Sequence, residues 1–418
     1  MNSLRPVDSY LTEEMARRSG HAKQVICDQV RHVLADRFAT SLRAIVLTGS
    51  LARDEATFVP GASGVKLLGD ADFFIVFQDR SPLPPASLAL ARVKEAEANV
   101  RAAGVEASIS FAMVYGGYLE RLPRHISAYE LRSNGLVIWG EQEILSLVPS
   151  FGAAAISLED AWRLLANRLI EQFEMMSAER YQSDKRHELL QYRAAKLYLD
   201  MATSYLVFTG NYRPTYHARE EALRLASGSA SAASSAPFSL VDFASRVSEC
   251  TRFKMSGAPM ACSAQELIES ALFHSRLLWV WELQHLSRRP DVSDPAELMA
   301  LWMARQTMRA RIRGLASLVR RTGWRERAHY GIRWLRLSRR ASPRYWVYRG
   351  AAELLFGLGE SSQAGANETA TFARDCKRMG QLLPVTDPDS LSERPAAWRS
   401  LARALASNYH RFLESTSA

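Results

Sequence analysis

Gly69-Asp-Ala-Asp-Phe-Phe-Ile-Val-Phe77 decides how this chain is read. The apolar run after Asp72, rich in aromatic and β-branched residues, predicts a buried strand. Residues two apart in an extended chain project to the same face, so Asp70 and Asp72 point the same way at its start. Two adjacent carboxylates repel unless a cation neutralises them. Mg²⁺ prefers oxygen ligands and commonly takes one or two carboxylates together with substrate phosphates. For the pair taken alone, a solvated turn before a strand is the plainer reading.

Upstream, Arg43-Ala-Ile-Val-Leu-Thr48 is a second short strand pattern, ending at Gly49-Ser50. A glycine after a strand lets backbone approach a ligand, and a helix starting there would offer free N–H groups and the Ser50 hydroxyl to a phosphate. Such a dipeptide alone is usually a turn. Downstream, residues 85–103 read as a helix rich in Ala and Leu, and Val105 to Val114 as a third strand. Period-2 alternation there puts Glu106, Ser108 and Ser110 on one face. Beside the aspartate strand, Glu106 would lie near the two carboxylates, as a metal ligand or as a base for an attacking hydroxyl. An exposed edge glutamate is the bland alternative. Strand, loop, strand, helix, strand is an α+β order on a small mixed sheet.

In combination these signals resemble the DNA polymerase beta-type nucleotidyltransferase superfamily, on Gly49, Ser50, Asp70, Asp72 and Glu106. Thr-Gly-Ser-Leu-Ala-Arg-Asp-Glu (48–55) is similar to the GSxARGE-like stretch of small bacterial members. Tyr129-Glu-Leu-Arg132 and Gly135-Leu-Val-Ile-Trp-Gly140 resemble the domain end in aminoglycoside-type enzymes. The resemblance covers about residues 40–150. Three departures stand out: the 51–69 stretch is long and carries Val59-Pro-Gly-Ala-Ser-Gly-Val-Lys-Leu-Leu68, read as a hairpin or a lid; Gly69 replaces a frequent Ser; and the third acid is Glu. The resemblance implies Mg²⁺ on Asp70 and Asp72, a nucleoside triphosphate (ATP the first choice) held by Gly49 and Ser50, and transfer of its NMP to a hydroxyl with release of pyrophosphate. It leaves the acceptor unknown: a small or sugar-linked molecule leads, and AMP transfer to a protein, as in antitoxin-like members, is the alternative.

From Ser157 onward no strand is evident, and helical patterns run at about 157–182, 185–209, 238–255, 264–289, 296–321 and 395–416. Ala226 to Pro237 and Gly357 to Asn367 read as small-residue linkers. The expected organisation is a nucleotidyltransferase domain over 1–150, a helical domain over 151–225 on the active site, and an all-α region over 238–418. In the first of these helices Lys196 is the candidate for a triphosphate contact, set against a plain i,i+4 surface pair with Asp200. The loop at Asn211 to Tyr216 is either an acceptor pocket wall or a simple connection.

The net charge of +9 is concentrated: residues 301–350 hold 14 Arg, no Lys and one acid, Glu326, leaving −4 for the rest. With Trp324, Trp334, Trp346, Tyr330, Tyr345 and Tyr348 among them, these arginines suit an anionic polymer or lipid surface, stacked nucleic-acid bases, or a helical bundle with a solvated basic face. A binding protein that uses this surface and has a degenerate nucleotide site is the non-enzymatic alternative. The scattered Cys27, Cys250, Cys262 and Cys376 form no zinc spacing or disulfide framework. The start lacks a signal-peptide core, and no apolar run approaches a membrane span, so a cytoplasmic protein is expected.

Overall fold

The computed structural model describes residues 13–62, 64–176, 183–321 and 324–361, together with 405, 406 and 409. The sheet is built on one long strand. After helix α1 (Glu13–Phe38), β1 (Leu42–Thr48) leads into the single-turn α2 (Gly49–Ala52), β2 (Thr57–Gly61) and the 14-residue β3 (Gly64–Phe77). β1 pairs antiparallel with the second half of β3, Leu42 opposite Phe77 and Thr48 opposite Asp72. β2 pairs antiparallel with its first half, Thr57 opposite Leu68 and Gly61 opposite Gly64. The chain therefore leaves the edge of β3 at Gly49 and rejoins the same edge at Thr57. The inserted stretch is a β-hairpin and not a lid, and it extends the aspartate strand backwards, so Asp70 and Asp72 sit in the middle of β3.

Helix α3 (Ala86–Ala102) crosses to β4 (Val105–Tyr115), which runs parallel to β3 along its other edge. α4 (Gly116–Leu119), α5 (Ile126–Asn134) and β5 (Leu136–Gly140) follow, and β5 closes the sheet antiparallel to β1. This mixed, five-stranded sheet followed by helices is the α+β order expected. The pleat divides β3: Leu67, Ala71, Phe73, Ile75 and Phe77 pack under α1 and α3. Val76 and Phe74 join Leu119, Ala128 and Leu131 on the opposite face. Asp70 and Asp72 lie on that second face, beyond the end of its apolar patch.

The remaining chain is helical: α6 (Leu158–Met176), α7 (Ser183–Phe208), α8 (Tyr216–Ser227), α9 (Ala230–Ser235), α10 (Leu240–Ser256), α11 (Ala264–Ser287), α12 (Pro295–Ala304), α13 (Met308–Arg321), α14 (Trp324–Ser338) and α15 (Pro343–Ser361). The acids Glu159 and Asp160 in the first turn of α6 favour a helix start after Ser157, where the dipole welcomes negative charge. The stretch read as a linker after Ala226 contains α9, capped by the Ser229 hydroxyl. The pattern at 296–321 divides into α12 and α13, the Thr307 hydroxyl accepting the Ala310 N–H at the break. The helix expected at 395–416 lies outside the described residues except at Leu405, Ala406 and Tyr409.

One apolar cluster joins these helices around Trp162, which stacks near Trp279, Tyr345 and Tyr348. Trp334, Trp346, Tyr345 and Tyr348 from the Arg-rich segment are buried in it, so they serve as core and are not free to stack on bases. Trp324 and Tyr330 have side chains outside the described set. Among the described residues no helix is long and apolar enough to cross a membrane.

Candidate active site

Asp72 is the centre of the site. It is half-buried, opposite Thr48 in the β1 register and Ser110 in the β4 register, and its carboxylate accepts a hydrogen bond from the Ser110 hydroxyl. Asp70 stands opposite Ser108 and is exposed. Burial, followed by the charge of Asp70, pushes the Asp72 carboxyl up to about 6, while Lys196 and Ser110 pull the other way. A carboxylate pair without a neutralising cation behaves in this way.

Gly49 shows why this corner requires glycine. Its φ is +71°, and a Cβ there would lie 3.2 Å from Asp72 Oδ2. Ser50 follows at the start of α2, half-buried, with no hydrogen bond to its hydroxyl among the described residues. Gly69, immediately before Asp70, has φ +110° and sits where the β3–β4 register shifts between Lys66 and Asp70. That bulge accounts for glycine at this position.

The same bulge corrects the expectation for Glu106. Glu106 pairs with Lys66, on the hairpin side of the register shift. Its Oε1 lies 3.1 Å from where a Cβ on Gly61 would be. The structure thus brings Glu106 to the β2–β3 hairpin, and Ser108 and Ser110 take the places beside the aspartates. No group of three His, Cys, Asp or Glu able to hold a metal occurs among the described residues. Two carboxylates fit a divalent cation that arrives with phosphate oxygens, and do not make an all-protein cage.

Lys196 is not the surface partner of Asp200. Asp200 is buried and takes the Nε–H of Arg168 at 2.5 Å, and Arg168 also pairs with Glu171. Lys196 faces inward, with no carboxylate within ion-pair distance among the described residues and Tyr192 5.8 Å from its ammonium. The neighbouring Arg168 charge, then burial, lower it to about 8. Beside it is a residue the sequence reading passed over. Lys254 on α10 is 3% exposed, donates to the Tyr192 hydroxyl at 3.1 Å, and is pushed down to about 7 by burial and by Lys196. Its position was open to detection: Phe243, Val247, Cys250 and Lys254 follow the buried stripe of α10, and a lysine in such a stripe is out of place.

Tyr192 ties this basic group to the carboxylate strand, donating to the Leu68 carbonyl at 2.9 Å. A second tie is the Thr57 hydroxyl, which donates to the Lys254 carbonyl at 2.6 Å. The similar-looking Arg53-Asp-Glu55 stretch is structural. Arg53 pairs with buried Glu55 at 2.7 Å and with Glu130 at 2.8 Å. Tyr212 is buried and donates to Glu130, so the 211–216 loop is a packed connection and not a pocket wall.

No family model, no curated protein and no solved structure matches this chain.

Proposed function

We propose that the chain is a nucleotidyltransferase, moving an NMP group from a nucleoside triphosphate, with ATP the first choice, to an acceptor hydroxyl. One observation carries this reading: a pair of carboxylates on one strand face has inward Lys196 acting on it, with inward Lys254 beside Lys196, and neither lysine has an ion-paired carboxylate among the described residues. Such an arrangement suits a ligand that is negatively charged and brings a cation with it, as a metal-bound triphosphate does.

Asp70 and Asp72 would hold the cation, Mg²⁺ by the oxygen-only chemistry of the donors. Bound there, the ion would neutralise charge on the phosphates and on the departing pyrophosphate. Lys196 and Lys254 would bind phosphate oxygens. Both are poised to gain full charge when an anion arrives, since protonation is suppressed at Lys196 by the Arg168 charge and burial, and at Lys254 by burial and the Lys196 charge. The Ser50 hydroxyl and the backbone N–H groups at Gly49 would supply neutral donors. The acceptor oxygen would bond to the α-phosphorus as the bond to the bridging β-phosphate oxygen breaks, the hydroxyl proton passing to solvent and the electron pair leaving with pyrophosphate, so this chain contributes mainly position and charge.

The test is calorimetric titration of Mg-ATP into the wild type and into Asp70→Asn/Asp72→Asn, followed by incubation of labelled ATP with cell extract. The reading expects binding to drop at least about tenfold in the variant and label to enter a product only with the wild type. Equal binding and turnover by both proteins defeats it. Label confined to small molecules identifies that acceptor class, and label on protein identifies the alternative one.

A further inference from the structure

A cavity of about 460 Å³ opens between α6, α12, α13 and the start of α15, and none of the residues of the carboxylate site lines it. Its walls carry Arg163, Arg305, Arg313 and Arg344 against one carboxylate, Glu159. That carboxylate already accepts the Tyr345 hydroxyl. Arg163 and Arg344 are half-buried and Arg305 and Arg313 lie exposed at the mouth, and the four differ from the buried arginines of this chain. Arg53, Arg168 and Arg219 are each ion-paired to carboxylates. None of the four in the cavity has an ion pair among the described residues.

Unmet donors accompany the unmet charge. The Nε–H groups of Arg163 and Arg344 and the indole N–H of Trp302 are buried with no hydrogen-bond acceptor among the described residues. Buried donors left unpaired lose their hydration without replacement, and clustered like charges add repulsion. Among several arginines and one carboxylate, an anion is a partner that would meet both the donors and the charge. Guanidinium groups match phosphate oxygens in paired, planar hydrogen bonds, and the volume suits a compact small molecule.

We propose that this cavity is a binding site for a phosphate ester, a phosphoryl group held by Arg163, Arg305, Arg313 and Arg344 with Trp302 on the wall. Only part of the Arg-rich segment takes part, and α6 supplies Arg163 from outside it. The phosphoryl group has two possible sources, a soluble metabolite or a lipid headgroup. The lipid source is relevant because the far side of α13 exposes Met308 and Ile312, each more than 60% accessible, among arginines.

The test titrates inorganic pyrophosphate into the full-length protein in metal-free buffer with EDTA, then into Arg305→Ala/Arg313→Ala and Ala310→Phe. Arg305, Arg313 and Ala310 are exposed, so these changes spare the core; Ala310→Phe narrows the cavity with every arginine intact. The site predicts saturable 1:1 binding, weakened at least about tenfold in both variants. No saturable binding, or equal binding by wild type and both variants, overturns it. Sedimentation with phosphatidylcholine vesicles containing phosphatidic acid then assigns the source. Vesicle binding displaced by pyrophosphate supports the site with a lipid headgroup, and pyrophosphate binding without vesicle binding supports it with a soluble ligand.

Discussion

The Tyr192 hydroxyl on α7 donates to the Leu68 carbonyl on β3 at 2.9 Å, two residues before Asp70. This bond crosses from the helical half to the strand that carries the carboxylates. Tyr192→Phe removes it and leaves the Lys254 ammonium without its hydroxyl acceptor. The expected loss is about 1–2 kcal/mol in urea unfolding. Mg-ATP affinity should fall as well, because β3 loses its anchor beside Gly69.

Lys254→Met should separate stability from function. Removing a desolvated amine and filling its place with an apolar chain keeps or raises the melting temperature. If Lys254 binds phosphate, the same change weakens Mg-ATP binding about tenfold. Scanning calorimetry and titration on one preparation read both effects.

Gly49→Ala meets two obstacles. The backbone is left-handed there, costing a non-glycine residue roughly 1–2 kcal/mol, and the new methyl group presses on Asp72. The variant should melt lower, and its loss of Mg-ATP binding should exceed that of Ser50→Ala. Equal losses would mean that Gly49 does not shape the Asp72 carboxylate.

Glu130 on α5 receives Arg53, Arg219 and the Tyr212 hydroxyl, joining the sheet-side helix to α8. Arg53 and Arg219 are both nearly inaccessible. Glu130→Ala takes the carboxylate from buried Arg219 and leaves Arg53 with Glu55 alone, and a loss of about 3–5 kcal/mol is expected in denaturant unfolding. Arg219→Met, which leaves Glu130 its bonds from Arg53 and Tyr212, should cost less.

Glu282 gives the stability a pH dependence. It is fully buried on α11, accepts the Ser204 hydroxyl at 2.5 Å, and is raised to about 8 by burial. An unfolded glutamate ionises near about 4.3. Between these values the folded chain holds a proton that the unfolded chain has released, so stability falls as pH rises from about 5 to 8. Glu282→Gln keeps the bond from Ser204 and should flatten that part of the melting-temperature profile. An unchanged slope would refute this role.

Local patterns were legible where the physics is local. Asp72 to Phe77 reads as a strand because five apolar neighbours leave little alternative, and α3, β4 and β5 follow the same logic. The hairpin was ambiguous because Pro60 and Gly61 weaken a strand pattern, and an edge strand tolerates both. The alternation of β4 correctly placed Glu106, Ser108 and Ser110 on one face. The register against β3 is a pairing between distant segments, displaced by a bulge at Gly69, and no spacing within β4 reveals it. Lys196 and Lys254 meet only through the packing of α7 and α10. Asp200 was drawn away from Lys196 by Arg168, 32 residues earlier in the chain.

The β2–β3 arm is held at both of its strands by the helices, at Thr57 through the Lys254 carbonyl and at Leu68 through Tyr192. The carboxylates are therefore positioned by contacts on both sides of the protein, and their spacing from the lysines is shared property of the two halves. By thermodynamic linkage, a ligand that steadies α7 and α10 also steadies the arm, and order gained in the arm is returned to the helices. A separately expressed sheet half would keep both aspartates and lose the restraint that sets their distance from any phosphate.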